Sequence, residues 1–117
     1  MDKPLYAPYV LFEGNSSGTI ALSDVAGNYD YIEIYFTDNN GAGCGFTKVY
    51  NPDKKVVHLS LIEANSSVIF HIRYSNYRID DATIGLITDK YGIIYFNGTS
   101  WGNLAKANYL RITKVVG

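Results

Sequence analysis

Apolar and polar residues alternate along this chain with a period of two. The clearest run is Tyr31-Ile32-Glu33-Ile34-Tyr35-Phe36, and Val68-Ile69-Phe70-His71-Ile72-Arg73-Tyr74 repeats the pattern. Alternation of β-branched and aromatic residues is the signature of half-buried antiparallel strands. No apolar stripe recurs at helical spacing over three turns. Punctuation places strands at residues 9–13, 19–22, 29–38, 44–50, 55–62, 68–75, 83–88, 93–96 and 109–116. Pro4 and Pro8 keep residues 1–8 as an extended leader that does not pair. Residues 23–28 have room for at most one helical turn, capped by Ser23 or Asp24 and stopped by Gly27. Asn40-Gly41 closes a hairpin through positive φ angles, and Asn51-Pro52-Asp53-Lys54 predicts a type I turn with proline second. The pattern weakens over 77–81, turns at 89–92, and leaves a polar loop at 97–103. Eight to nine short strands at this spacing predict an all-β fold: one antiparallel, jelly-roll-like β-sandwich spanning 9–117.

Alternation also sets the faces. Glu33 is a carboxylate that a core does not accept unpaired, so Ile32, Ile34 and Phe36 should point inward and Tyr31, Glu33, Tyr35 and Thr37 outward. By the same argument His71 and Arg73 should face solvent, leaving Val68, Phe70, Ile72 and Tyr74 inside. In the last strand Leu110 and Ile112 face in, with Tyr109, Arg111 and Thr113 out. Full enclosure of the Phe70 ring would make its truncation to alanine cost roughly 3–5 kcal/mol.

Composition narrows the function classes. A chain of 117 residues with 47% hydrophobic residues can bury a core without disulfides or metal. Eleven tyrosines are an unusual endowment, because tyrosine joins contact area to a polar tip. Ten basic and eleven acidic residues, scattered singly, give a net charge of −1. Nucleic acid is therefore not expected as a partner, and no apolar run approaches a membrane span. No signal peptide is visible at Met1-Asp2-Lys3, which points to synthesis in a reducing cytoplasm. Cys44 has no intrachain partner and sits between Gly43 and Gly45 as a small strand-end residue.

Candidate chemistry is sparse. His58 and His71 lie on adjacent strands and can face each other across a hairpin, but zinc needs two further ligands. Asp80, Asp81 and Asp89, with Asp38 and Asp53 in turns, are oxygen donors of the kind calcium uses, without the dense spacing of a dedicated loop. Glu13, Glu33 and Glu63 fall on different strands, and nothing sets two of them as a glycosidase pair. Asn15-Ser16-Ser17, Asn65-Ser66-Ser67 and Asn97-Gly98-Thr99 match the glycosylation acceptor pattern, yet also suit turns. No enzymatic step, no cofactor and no metal are expected. Trp101 is the candidate stacking group for a sugar ring, with Asn97, Ser100 and Asn103 nearby for hydroxyls; a tryptophan folded back as a lid on the core is the competing arrangement.

One resemblance adds to this. The stretch from Leu11-Phe12-Glu13-Gly14 through Thr19-Ile20-Ala21-Leu22, the Tyr-rich strand at Tyr31 and the ending Tyr109-Leu110-Arg111-Ile112-Thr113-Lys114-Val115-Val116 resemble β-rich domains of minor structural proteins of tailed bacteriophages and prophages. The resemblance is one of pattern and covers most of the chain. It implies a virion component of tail-fibre or baseplate type, made in the bacterial cytoplasm, contacting other virion proteins, often trimeric and sometimes receptor-binding. The N-terminal attachment helix or coiled coil usual in fibre proteins is not seen here. On this footing the chain is expected to self-associate through Tyr31, Tyr35 and Tyr109, and any ligand is expected to be a host cell-wall saccharide at Trp101. The alternative is a bacterial carbohydrate-binding module, which calls for a row of coplanar exposed rings.

Overall fold

The computed structural model describes residues 9–117 except 39–40, 42, 65–69 and 106–109; the expected leader 1–8, Val68 and Tyr109 lie outside the described residues. Among these, nine strands form: β1 (Val10–Ser16), β2 (Ile20–Ala21), β3 (Tyr31–Asp38), β4 (Cys44–Tyr50), β5 (Val56–Ala64), β6 (Phe70–Asp80), β7 (Thr83–Phe96), β8 (Trp101–Ala105) and β9 (Leu110–Val116). They make two antiparallel sheets. The first has the order β1-β9-β3-β4; the second has β2-β7-β6-β5, with β8 also paired to β7. The sandwich expected from the alternation is present, 52 × 28 × 22 Å in extent. No helix among the described residues is long and apolar enough to cross a membrane.

The core lies between the sheets. Ile32, Ile34 and Phe36 from β3 and Leu110, Ile112 and Val115 from β9 meet Val57, Leu59, Tyr77, Ile79 and Ile84 from the second sheet. The faces of β3 and β9 are those the sequence predicts, with Glu33 and Arg111 half-exposed on the other side. The single turn over residues 23–28 is a 3-10 turn at Ala26–Asn28. Asp24 does not cap it. Its carboxylate instead accepts hydrogen bonds from the Val25 N–H, the Asn28 amide and the Tyr29 hydroxyl. The tight turn after β4 starts one residue later than expected. Lys55 N–H donates to the Pro52 carbonyl, so proline is first in the turn, and Asn51 takes φ 49° to enter it.

Three expectations fail in the second sheet. β6 runs through residues 77–80, where the pattern looked weak, because Tyr77 and Ile79 continue the buried row. β7 is one strand where two were expected. The turn signal at 89–92 is absorbed as an irregularity, in which Ser75 pairs with Tyr91 but Tyr77 pairs with Leu86, a bulge that adds residues to one strand only. Finally, Trp101 opens an edge strand, β8, and only residues 97–100 form the loop.

The register of β6 is the inverse of the expected one. Ser75, Tyr77 and Ile79 are buried, so the inward row also contains His71 and Arg73, while Phe70, Ile72 and Tyr74 lie on the outward side and are only half-buried. The reason is that Arg73 has acids to meet. Its guanidinium lies 3.2 Å from Glu63 and 3.8 Å from Asp38, which reaches across from β3. A charge paired in this way is no longer excluded from the interior, and the apolar residues at 77 and 79 determine the side.

At the other end of the molecule Tyr9 and Gly117 exchange two backbone hydrogen bonds, of 3.0 and 2.9 Å. Gly117 lies so close to the Tyr29 ring that a Cβ there would sit 2.4 Å from Cδ1.

Candidate functional site

Two outward aromatic faces result, one on each sheet. On the first, β3 and β4 place Tyr31 opposite Tyr50, Glu33 opposite Lys48 and Tyr35 opposite Phe46. Residues at every second position of paired strands meet on one side of a sheet, so these six side chains form a ladder. Tyr35 and Phe46 are stacked, with centroids 5.5 Å apart and planes 23° from parallel. Tyr31 and Tyr50 are tilted at 5.8 Å, and the Lys48 ammonium lies 4.0 Å from the Tyr31 centroid and 5.4 Å from that of Tyr50. Such exposed cation–π contacts are worth about 0.5–1 kcal/mol. The sequence correctly places Tyr31 and Tyr35 together and outward. It did not single out Phe46, Lys48 or Tyr50, although the hairpin pairing of 31–38 with 44–50 would have found them.

The second face lies at the end of the second sheet where β5, β6, β7 and β8 run side by side. Cross-strand rows join Phe70, Phe96 and Trp101, and next to them Ile62, Ile72 and Ile94. Phe70 and Phe96 have centroids 5.5 Å apart; Trp101 is 5.3 Å from Phe70 at 80° and 5.0 Å from Phe96 at 52°. Trp101 is 56% exposed and Ile62 73%. The reverse side of the same strands carries Glu63, His71, Arg73 and Tyr95, with His71 edge-on to Tyr95 at 6.5 Å. The sequence reasoning missed this face because it placed Phe70 and Ile72 in the core.

The residues proposed around Trp101 are placed as follows. The Asn97 carboxamide oxygen accepts hydrogen bonds from the Thr99 N–H, the Thr99 hydroxyl and the Ser100 N–H, so it holds its own turn together. Ser100 is exposed. Asn103 belongs to β8, with its side chain outside the described set. The Trp101 ring packs edge-on against Phe70 instead of lying in a flat row.

The other titratable groups are drawn into local structure. His58 pairs with Asn76 at 2.8 Å, and His71 stands opposite Glu63, so the two histidines do not face each other. Glu13 is opposite Lys114, Glu33 is opposite Lys48, and Glu63 meets Arg73. Asp53, Asp80 and Asp81 bring carboxylate oxygens within 4.8 Å of one another, as the cation reading would want. Lys54 is already among them, in an ion pair with Asp80, and Asp53 accepts the Asp81 N–H at 2.9 Å. The hydrogen bond that Lys54 donates to Asp80 raises the Lys54 pKa and lowers that of Asp80. Burial, and then the hydrogen bond to Asp24, pushes the Tyr29 hydroxyl from its ordinary 10.0 up to about 12.

No protein-family model, curated protein or solved structure matches this chain.

Proposed function

We propose that this chain is a non-enzymatic structural domain that works by assembly through its sheet faces, in the setting its sequence resembles: a tail-fibre or baseplate-type component of a phage or prophage virion. The observation that carries this is the second face, where isoleucine, phenylalanine and tryptophan stand outward at the end of the sheet while Glu63 and Arg73 of the same strands turn to the other side. Exposed apolar patches of this kind mark interaction surfaces. Two of the groups a hydrolase would draw on are engaged in separate contacts, His58 with Asn76 and Glu63 with Arg73, which agrees with a structural role. The working form is a homo-oligomer in contact with other virion proteins. Threefold symmetry rests on the resemblance alone, whereas twofold symmetry is the commonest arrangement of soluble oligomers.

Saccharide binding at Trp101 draws less support. A sugar platform stacks on open, near-coplanar rings, and here the tryptophan is turned edge-on to Phe70 and tilted against Phe96, with the Asn97 oxygen committed to a turn.

Sedimentation equilibrium of the full chain across a wide concentration range tests the assembly reading. A dimer or higher oligomer is expected. A mass that stays monomeric to millimolar concentration would overturn it.

A further inference from the structure

We infer that the apolar end of the second sheet is a self-association surface whose occupant is the same face of a second copy of this chain. The inference rests on the assembly reading and names the surface responsible. Its geometry is unambiguous about sides. Leu61 reaches Gly43 and Gly45 of the first sheet and Arg73 reaches Asp38, so the alternate residues Ile62, Phe70 and Ile72, joined in cross-strand rows by Ile94, Phe96 and Trp101, point away from the body of the sandwich.

The charge pattern selects the occupant. Glu63, His71 and Arg73, the titratable groups of β5 and β6 at this end, lie on the opposite side of the sheet. Among the described side chains of the apolar face, a nucleic acid, an acidic peptide or a lipid headgroup would meet no counter-charge, and a polyhydroxylated sugar would meet few hydrogen-bonding groups. An identical face needs none, because apolar surface closes on apolar surface without burying an unpaired charge. The net charge of −1 offers little repulsion between copies.

Arrangement points the same way, and size sets the strength. The strand order here is β5-β6-β7-β8, and the two most exposed apolar side chains of this face, Ile62 and Trp101, sit on its outer strands. A twofold axis parallel to the strands, between β6 and β7, lays the Ile62 edge of one copy over the Trp101 edge of the other. Four strands at about 4.8 Å and about five residues at 3.3 Å give a footprint on the order of 300 Å². That matches the largest apolar patches of ordinary monomers, roughly 300–600 Å², and falls short of the ~800 Å² per partner of a standard stable interface. The association is therefore reversible and concentration-dependent.

Trp101 is the one tryptophan of the chain, so the wild-type protein carries its own reporter. As concentration rises and mass increases in the ultracentrifuge, Trp101 emission should shift to the blue and become harder to quench with acrylamide. Ile62→Lys, at a position 73% exposed, should keep the circular dichroism spectrum and melting temperature. It should weaken association by roughly tenfold or more, since each copy would bury an ammonium without a partner. Tyr35→Lys, on the other sheet, should leave association unchanged. If the protein associates with unchanged Trp101 emission, and Tyr35→Lys rather than Ile62→Lys abolishes it, this surface is wrong while the assembly reading survives. A wild-type monomer at every concentration removes both.

Discussion

β3 and β6 are both interior strands of their sheets, both alternate apolar with polar residues, and they face their cores by different rules. In β3 the tyrosines and Glu33 look outward and every isoleucine is enclosed. In β6 the charged Arg73 looks inward, and Phe70 and Ile72 look out. The alternation of a strand establishes that it has two faces. It does not establish which one the core takes when a charged residue can find its partner inside. Arg73 meets Asp38 from β3 itself, so the strand that obeys the simple rule supplies the group that lets the other depart from it.

Three measurements would break or sharpen this contrast, in order of expected effect. The largest difference should come from truncating an isoleucine on each strand. Ile34→Ala opens a cavity at a fully enclosed site and should cost roughly 3–4 kcal/mol, whereas Ile72→Ala on the outward side should cost about 1 kcal/mol. Urea unfolding of both variants checks this, and equal losses would mean that the outward side of β6 is as well packed as the core. By the same reasoning Phe70→Ala should fall below the value for a fully enclosed ring.

The ion pair comes next. Asp38→Ala leaves Arg73, whose side chain is 15% exposed, with Glu63 but without its partner across the sandwich. A loss of about 2 kcal/mol is expected, against ~0.5 kcal/mol or less for Glu33→Ala on the outward side of β3. The decisive comparison is the double variant Asp38→Ala with Arg73→Leu: recovery of stability would show that the inward charge is tolerated only because it is paired.

The smallest effect is at alkaline pH. Tyr29, buried and hydrogen-bonded to Asp24 just ahead of β3, has its pKa raised to about 12. A raised folded-state value means that its contribution is complete below the ordinary 10.0 and is lost as pH climbs through about 12. The stability gap between wild type and Tyr29→Phe should stay constant up to that ordinary value and close above it. A gap independent of pH would count against the hydrogen bond.

Much of the fold was legible in the sequence. The antiparallel sandwich, the faces of β3 and β9, and the pairing of Tyr31 and Tyr35 on one side all follow from alternation, because Glu33 and Arg111 alternate with the apolar residues beside them and the inward Asp38 comes only at the end of β3. The second sheet was less legible for physical reasons. Arg78 and Asp80 sit on the exposed side of β6 and masked the continuation of its buried row through Tyr77 and Ile79. Asp89-Lys90-Tyr91-Gly92 has turn composition but is carried inside a strand, since a bulge on β7 uses the extra residues while the β6 ladder goes on. Trp101 was placed in a loop because residues 97–103 are polar and glycine-containing, and Gly102 is instead where the Tyr95 ring approaches, 3.0 Å from a would-be Cβ. The apolar face did leave a signal. Phe70 and Ile72 occupy even positions while Tyr77 and Ile79 occupy odd ones, and a strand whose apolar residues change parity must show some of them on each side.

The paired backbones of Tyr9 and Gly117 make the domain a closed cassette. Chain entering at residue 9 and chain leaving at 117 do so side by side, so the fold can be spliced into a loop of another protein without being stretched. The same proximity allows circular permutation, with a short linker from Gly117 to Tyr9 and new ends opened in the exposed turn at 97–100. Such a permutant would keep every core strand whole while placing its new ends beside Trp101.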